Sequence, residues 1–138
     1  VCVVLFTAGA GLEQRSSHGE FQQVILIQFA VSDLDRSIAF YRDVVGLEFE
    51  LRIDELRWAR FKTAIPGLIL GLGESDEVTG SGTTSMNLGV GDADAVRARL
   101  EAAGVEFLGP TINIPGVVRL ADFLDPDGNK IRLAGPSQ

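Results

Sequence analysis

The sequence predicts an α+β fold built from two tandem βαβββ modules, with the helices on one side of the sheets. The main observation is an internal repeat: residues 31–35 match residues 90–94, and residues 46–49 match residues 104–107. In each copy a β-rich run precedes an amphipathic helical pattern, and further β-type runs follow it. An acidic, glycine-rich stretch at residues 74–82 separates the two copies.

The first module begins with a β-rich strand at residues 24–31. Apolar residues at helical spacing then predict a helix over residues 34–45. Its N-cap is Ser32 or Asp33, and Gly46 lies where a helix-ending glycine is expected. Three strands complete the module, at residues 47–53, 56–63 and 67–73.

The second module repeats this pattern, with a strand at residues 84–90 and a helix at residues 93–103. Asp92 is the expected N-cap of this helix, and Gly104 follows its end. The last turn is the Asp-Pro-Asp-Gly sequence at residues 125–128. Three strands complete the module, at residues 105–108, 117–124 and 129–134.

Composition excludes several kinds of site. The 138 residues include one cysteine, Cys2, and one histidine, His18, so an internal disulfide, a Cys-rich zinc site and a two-histidine metal site are impossible within one chain. The net charge of −7 argues against a nucleic-acid partner and against an anionic membrane surface, since both select basic patches.

The beginning of the chain does not resemble a secretion signal. Its longest uncharged stretch, residues 1–12, is too short to span a bilayer and follows no basic segment. We therefore expect a cytoplasmic protein, with residues 1–20 as an N-terminal appendage and residues 21–138 as one domain of two modules.

Three motifs show a resemblance to a known family: residues 31–41 (VSDLDRSIAFY), residues 46–48 (GLE) and residues 123–129 (FLDPDGN). The chain resembles the vicinal oxygen chelate superfamily, which includes glyoxalases, bleomycin-resistance proteins and extradiol dioxygenases. The resemblance covers about residues 24–134. It implies sheets that curve into a ligand-holding cup, and commonly a homodimer.

Enzymes of that family hold a divalent metal in the cup through side chains of four strands. The resemblance places these positions at Leu26, Gly71, Ser85 and Arg132. Leucine and glycine side chains have no donor atom, serine is a weak ligand, and a guanidinium repels a cation. We therefore expect no metal and no cofactor, with a metal held elsewhere, through Asp122 or Gln28 for example, as the less favoured alternative.

Strand alternation indicates which polar residues face the cup. Met86 and Leu88 are apolar and are expected to face the helix, so Ser85 and Asn87 face the cup. Gln28 is the lone strongly polar residue of the first strand and is a candidate ligand contact. Its alternative role is an amide satisfied by a neighbouring strand or by a dimer partner.

Trp58, the sole tryptophan, lies on a strand with Arg60 two positions further on. If the indole points into the cup, so does the guanidinium, and this pair suits a planar or partly anionic ligand. The alternative is that Trp58 packs in the core or in a dimer interface.

Arg132 is the sharpest candidate for ligand binding, because the resemblance and the strand alternation agree on its direction. It would anchor an anionic oxygen of the ligand, with an internal ion pair to Glu48 or Glu50 as the alternative. Arg119 is a second candidate cup residue, with a solvated rim charge as its alternative role.

These features favour a metal-free protein that binds a small molecule in the cup. The first alternative is an enzyme, a glyoxalase-like lyase or isomerase or a dioxygenase with an altered metal site, although no catalytic residue is identified. The second alternative is a dimeric scaffold module with a cup filled by apolar side chains.

Overall fold

The computed structural model describes residues 24–78 and 85–138, so the expected appendage and part of the linker between the modules lie outside the described residues. The first module consists of β1 (Ile25–Val31), α1 (Leu34–Ala39), a π-helical turn (Phe40–Val45), β2 (Glu48–Ile53), a 3-10 turn (Asp54–Leu56), β3 (Trp58–Lys62) and β4 (Leu68–Glu74). The second module consists of β5 (Ser85–Gly89), α2 (Ala93–Ala102), β6 (Ile112–Ile114), β7 (Val118–Leu124) and β8 (Lys130–Gly135).

The two modules have the same sheet topology. The first sheet has the order β1-β4-β3-β2, and the second has the order β5-β8-β7-β6. In each sheet the first strand runs parallel to the last, while the remaining pairs are antiparallel. Register pairs Gln28 with Gly71 in the first sheet and Asn87 with Arg132 in the second. The predicted α+β fold of two βαβββ modules is confirmed.

The helices begin at the predicted caps. The Asp33 carboxylate accepts a hydrogen bond from the backbone N–H of Arg36, and the Asp92 carboxylate accepts one from Ala95, each at 3.0 Å. The first helix continues from Ala39 through the π-helical turn and ends at Gly46, whose φ of 93° suits glycine. No helix in the described part of the chain is long and apolar enough to cross a membrane.

The strand predicted at residues 105–108 is wrong. Phe107 makes only an isolated bridge to Phe123. The edge strand next to β7 in the second sheet is instead β6, at residues 112–114. Pro110 and the positive φ of Gly109, 97°, separate the two segments. The apolar residues before this break pack against the core side of the sheet without joining it.

The hydrophobic core lies on the helix-bearing faces of both sheets. Phe61 of β3 and Phe123 of β7 belong to one buried cluster, together with the helix residues Tyr41 and Leu100. The contacts between the modules lie on this side as well: the Phe40 and Phe123 rings are 6.5 Å apart, and the Tyr41 hydroxyl donates to Asp125 at 2.8 Å. The opposite faces of the two sheets therefore point outward, away from the shared core.

Candidate ligand-binding site

The outer face of the first sheet has a niche above two glycines. A Cβ atom on Gly71 would lie 3.1 Å from Trp58 Nε1 and 3.2 Å from Leu26 Cδ2. A Cβ atom on Gly73 would lie 2.8 Å from Gln28 Nε2. These contacts place Leu26, Gln28 and Trp58 on one face, and the absence of side chains at the two glycines leaves room for the indole.

Trp58 is anchored in this niche by Gln28. The indole Nε1 donates a hydrogen bond to the Gln28 side-chain oxygen at 3.2 Å, and Trp58 is only 6% exposed. Trp58 lies on the face opposite the core residues Ala59 and Phe61, because side chains alternate along β3. Gln28 and Trp58, which were both expected to face the cup, therefore lie in contact with each other.

Arg60 shares this outer face with Trp58 and is paired within its own sheet. Its Nε atom donates to Glu50 Oε2 at 2.7 Å, and its Nη2 atom donates to Glu50 Oε1 at 3.0 Å. The Arg60 side chain is almost fully buried, so this two-point pairing compensates for the loss of water around the guanidinium. The pair is neutral and offers little net charge to a ligand.

The outer face of the second sheet carries Ser85, Asn87 and Arg132. Met86, Ile131 and Leu133 are buried in the core, so their neighbours along the strands face outward. The Ser85 hydroxyl lies 3.4 Å from the Asn87 side-chain oxygen, and both residues are exposed. The three residues that strand alternation assigned to the cup side thus share one face.

Arg132 forms a cluster with Asp122 and Lys130. Its Nε and Nη2 atoms donate to the two Asp122 carboxylate oxygens at 2.6 and 2.8 Å, and Lys130 Nζ lies 3.1 Å from Asp122 Oδ2. Arg132 therefore forms an internal ion pair, which was the alternative to ligand anchoring. Its partner is Asp122 and not Glu48 or Glu50, which both lie on the first sheet.

The charge of this cluster is positive. Two cations face one carboxylate, and no hydrogen bond joins Arg132 Nη1 to the described residues. The Arg132 hydrogen bond lowers the pKa of Asp122 below its usual 3.8, against the opposing effect of burial, and the same bond raises the pKa of Arg132. Asp122 therefore stays ionised at neutral pH.

Arg119 does not belong to this face, and its prediction as a cup residue is wrong. Its Nε and Nη2 atoms donate to the Asp94 carboxylate, each at 2.9 Å, and Asp94 lies in the first turn of α2. Arg119 has the same strand parity as the core residues Ala121 and Phe123. Its guanidinium therefore ties the helix to the sheet from the inner side.

The four positions at which related enzymes hold a metal do not suit one here. Leu26 lies against the empty side-chain position of Gly71, and Trp58 fills the space above that glycine. On the second sheet, Ser85 is beside an amide and Arg132 supplies a positive charge. Residues 24–78 and 85–138 contain no cluster of three or more His, Cys, Asp or Glu side chains that would hold a metal ion.

Sequence reasoning did not assign two residues of these faces to the site. Gly73 has the same strand parity as Gly71, and Lys130 has the same parity as Arg132, so alternation along β4 and β8 was the available signal. The sequence suggested Asp122 as an alternative metal ligand. In the structure its carboxylate forms an ion pair with Arg132, which lies directly opposite it on the neighbouring strand.

The two faces lie on different sheets. The Trp58 face belongs to the sheet β1-β4-β3-β2, and the Arg132 face belongs to the sheet β5-β8-β7-β6. The chain thus presents an aromatic half-site on the first sheet and a polar, cationic half-site on the second.

Comparison with known proteins agrees with this architecture. A sequence model of the Glyoxalase/Bleomycin resistance protein/Dioxygenase superfamily matches residues 23–133. A lactoylglutathione lyase from Oryza sativa subsp. japonica is 30% identical over 122 residues, which cover 78% of this chain and 42% of the enzyme. The chain thus spans less than half the length of this relative.

Solved structures show the same fold. TnmS3, described as an antibiotic binding protein from Streptomyces sp. CB03234, has a TM-score of 0.71 and 31% identity, covering 86% of this chain and 98% of its own. UcmS2 has a TM-score of 0.70 and 26% identity, covering 82% of this chain and 97% of its own. With two βαβββ modules, the matching motifs and the family match over most of its length, the chain belongs to the Glyoxalase/Bleomycin resistance protein/Dioxygenase superfamily.

Proposed function

We propose that this chain is a metal-free small-molecule-binding protein that holds its ligand between the aromatic half-site and the cationic half-site. The observation that carries this proposal is the packing at Gly71. Trp58 and Leu26 occupy the space where a metal ligand of the family would stand, and neither is a donor to a metal ion. TnmS3, described as an antibiotic binding protein and 31% identical to this chain, supports a binding role.

The ligand we propose has a flat apolar part and an anionic or hydrogen-bond-accepting group. Trp58 is only 6% exposed, so the flat part would contact the small accessible edge of its ring. The cluster of Arg132, Lys130 and Asp122 carries one net positive charge and one free guanidinium edge, which suits a carboxylate or enolate oxygen. Because the whole chain has a net charge of −7, the local positive charge of this cluster would favour an anionic ligand at this place on the surface.

A second copy of the chain would complete the site. The two half-sites lie on outward faces of different sheets, so a ligand that touches both Trp58 and Arg132 needs the first sheet of one copy and the second sheet of another. We therefore propose a homodimer with two composite cups, since a twofold axis repeats every contact.

An enzyme of the glyoxalase type is the second candidate, favoured by the 30% identity to the rice lactoylglutathione lyase. Such an enzyme would need an acid or base beside the substrate. The carboxylates of the two described half-sites, Glu50 and Asp122, are both held in ion pairs with arginine. This arrangement favours binding over proton transfer.

A thermal-shift screen of planar aromatic carboxylates tests the proposal. We expect at least one compound to raise the Tm of the wild-type protein, and this rise to be lost in Trp58→Leu and in Arg132→Met. Arg42→Met is the control, because it removes an exposed arginine paired with its neighbour Asp43, away from both half-sites. A Tm rise that persists in both site variants would reject the assigned site.

A further inference from the structure

A cleft on the inner, helix-bearing side of the molecule has no part in the proposed cup. It has a volume of about 460 Å³ and lies between Phe40 at the start of the π-helical turn, the segment after α2 and the turn between β7 and β8. This volume is within the range of small-molecule sites, roughly 300–1,000 Å³. Trp58 is not among the residues that line the cleft.

The wall of the cleft is aromatic and aliphatic. Phe40, Phe107 and Leu124 contribute apolar surface, and Leu108 beside them is 54% exposed. Phe107 already has a cation above it, since the Arg97 guanidinium lies 4.6 Å from its ring centroid. The apolar surface suits a lipophilic ligand of moderate size.

The charged side chains that line the cleft are both acids, Glu106 and Asp125. Asp125 is 4% exposed, and its carboxylate already accepts hydrogen bonds from the Tyr41 hydroxyl and from Asn129. Glu106 is exposed and forms no ion pair or hydrogen bond with the described residues. One carboxylate at this cleft is therefore available as a counter-ion.

The end of α2 adds to the negative potential. Ala103 and Gly104 line the cleft at the C-terminal end of this ten-residue helix, where the backbone carbonyls carry partial negative charge. Aromatic rings, an unpaired carboxylate and a helix C-terminus all favour a cation and disfavour an anion.

We propose that this cleft binds a lipophilic ammonium ion, with its hydrocarbon part against Phe40 and Phe107 and its charge beside Glu106. The site is separate from the proposed cup, which has the opposite charge preference. Either site can therefore exist without the other.

Three probes of one shape test this proposal: 4-tert-butylbenzylammonium, the neutral 4-tert-butylbenzyl alcohol and the anionic 4-tert-butylbenzoate. Binding is measured by calorimetry on the full chain carrying Arg132→Met, which removes the cationic contact that the proposed cup offers to the benzoate probe. Trp58, the sole tryptophan, reports on the cup when excited at 295 nm. We expect the ammonium probe to bind most tightly and to leave the Trp58 emission unchanged. We expect Glu106→Gln to weaken its binding about two- to fivefold, the range of a partly solvated ion pair.

Glu55→Gln is the matched control, because it removes one exposed carboxylate from the 3-10 turn of the first module and should leave the Kd unchanged. Ala103→Phe places a ring in the cleft and should abolish binding of the ammonium probe, with circular dichroism checking that the variant is folded. Equal affinity for the three probes, an equal Kd in Glu106→Gln and Glu55→Gln, or a change in Trp58 emission on binding would each overturn the proposal.

Discussion

The Trp58 indole lies directly over the backbone of Gly71, with Nε1 3.1 Å from the point that a Cβ atom at residue 71 would occupy. Because the indole is held by a hydrogen bond to Gln28, it is not free to move away without losing that bond. The glycine is thus matched to the tryptophan, at a position that the family resemblance aligns with a metal ligand.

Gly71→Ala should destabilise the protein by roughly 1–3 kcal/mol, because the added methyl group overpacks the niche between Trp58 and Leu26. Urea denaturation measures the free energy of unfolding, and a shift in tryptophan emission should accompany the change. Gly89→Ala is the matched control on a strand of the other sheet, where a Cβ atom meets nothing within 4 Å. Equal stability of the two variants would contradict the packing described for the niche.

Tyr41 should remain un-ionised for as long as the protein is folded. Its burial, and then the charge of Asp125 and their hydrogen bond, raise the pKa of the phenol far above its usual 10.0. Because the pKa of Tyr41 is higher in the folded state than in the unfolded state, its contribution to the free energy of unfolding is complete below pH 10. This contribution is lost as the pH rises above 10.

Tyr41 is the sole tyrosine, so absorbance at 295 nm follows its ionisation alone. We expect this signal to rise in alkali only together with the loss of circular dichroism. A reversible ionisation near pH 10 in a protein that stays folded would show that the hydroxyl is not buried against Asp125.

Asp122→Asn should lower the stability by about 1 kcal/mol at pH 7, because it removes the charged acceptor of Arg132 and Lys130. The pKa of Asp122 is lowered in the folded state, so its stabilisation is present above the ordinary value of 3.8 and is lost as the pH falls below it. The difference in unfolding free energy from wild type should therefore shrink in acid. Glu55→Gln, which removes an exposed carboxylate from the 3-10 turn, is the control and should leave the stability at pH 7 close to that of the wild type.

The cup should not take up a metal ion. Elemental analysis of the purified protein should find no stoichiometric Zn, Ni, Fe or Mn, and adding these ions should leave the Tm unchanged, because the two half-sites offer no suitable set of donors. Stoichiometric metal, together with turnover of a glyoxalase-type substrate after metal addition, would instead support the enzyme alternative.

The sequence predicts most of the fold because local signals and the repeat agree. Asp33 and Asp92 cap the helices as their positions after β-rich runs indicate, and Gly46 ends the first helix in a left-handed conformation. The change from α-helical to π-helical hydrogen bonding at residues 40–45 has no such signal, since the same apolar spacing fits both.

The site is less predictable than the fold. The face of the sheet to which a side chain points is inferred from alternation along the strand, and alternation is informative only where one face of the strand is clearly apolar. Along β7, Leu120 and Leu124 are apolar at one parity, and Ala121 and Phe123 are apolar at the other. The sequence alone therefore does not determine the side of the sheet to which Arg119 points. The packing of β7 against α2 determines it. The partner of Arg132 depends on cross-strand register, which places Asp122 directly opposite it.

The central claim is that two copies of the chain share each cup. A heterodimer of Trp58→Leu and Arg132→Met, purified through two different tags, tests it by titration with a planar aromatic carboxylate that binds the wild type. Neither variant should bind as a homodimer, since every cup then lacks one contact. The heterodimer should bind with the wild-type Kd at half the wild-type stoichiometry, because one of its cups combines an intact Trp58 with an intact Arg132. A heterodimer that binds no better than either parent would contradict the shared cup.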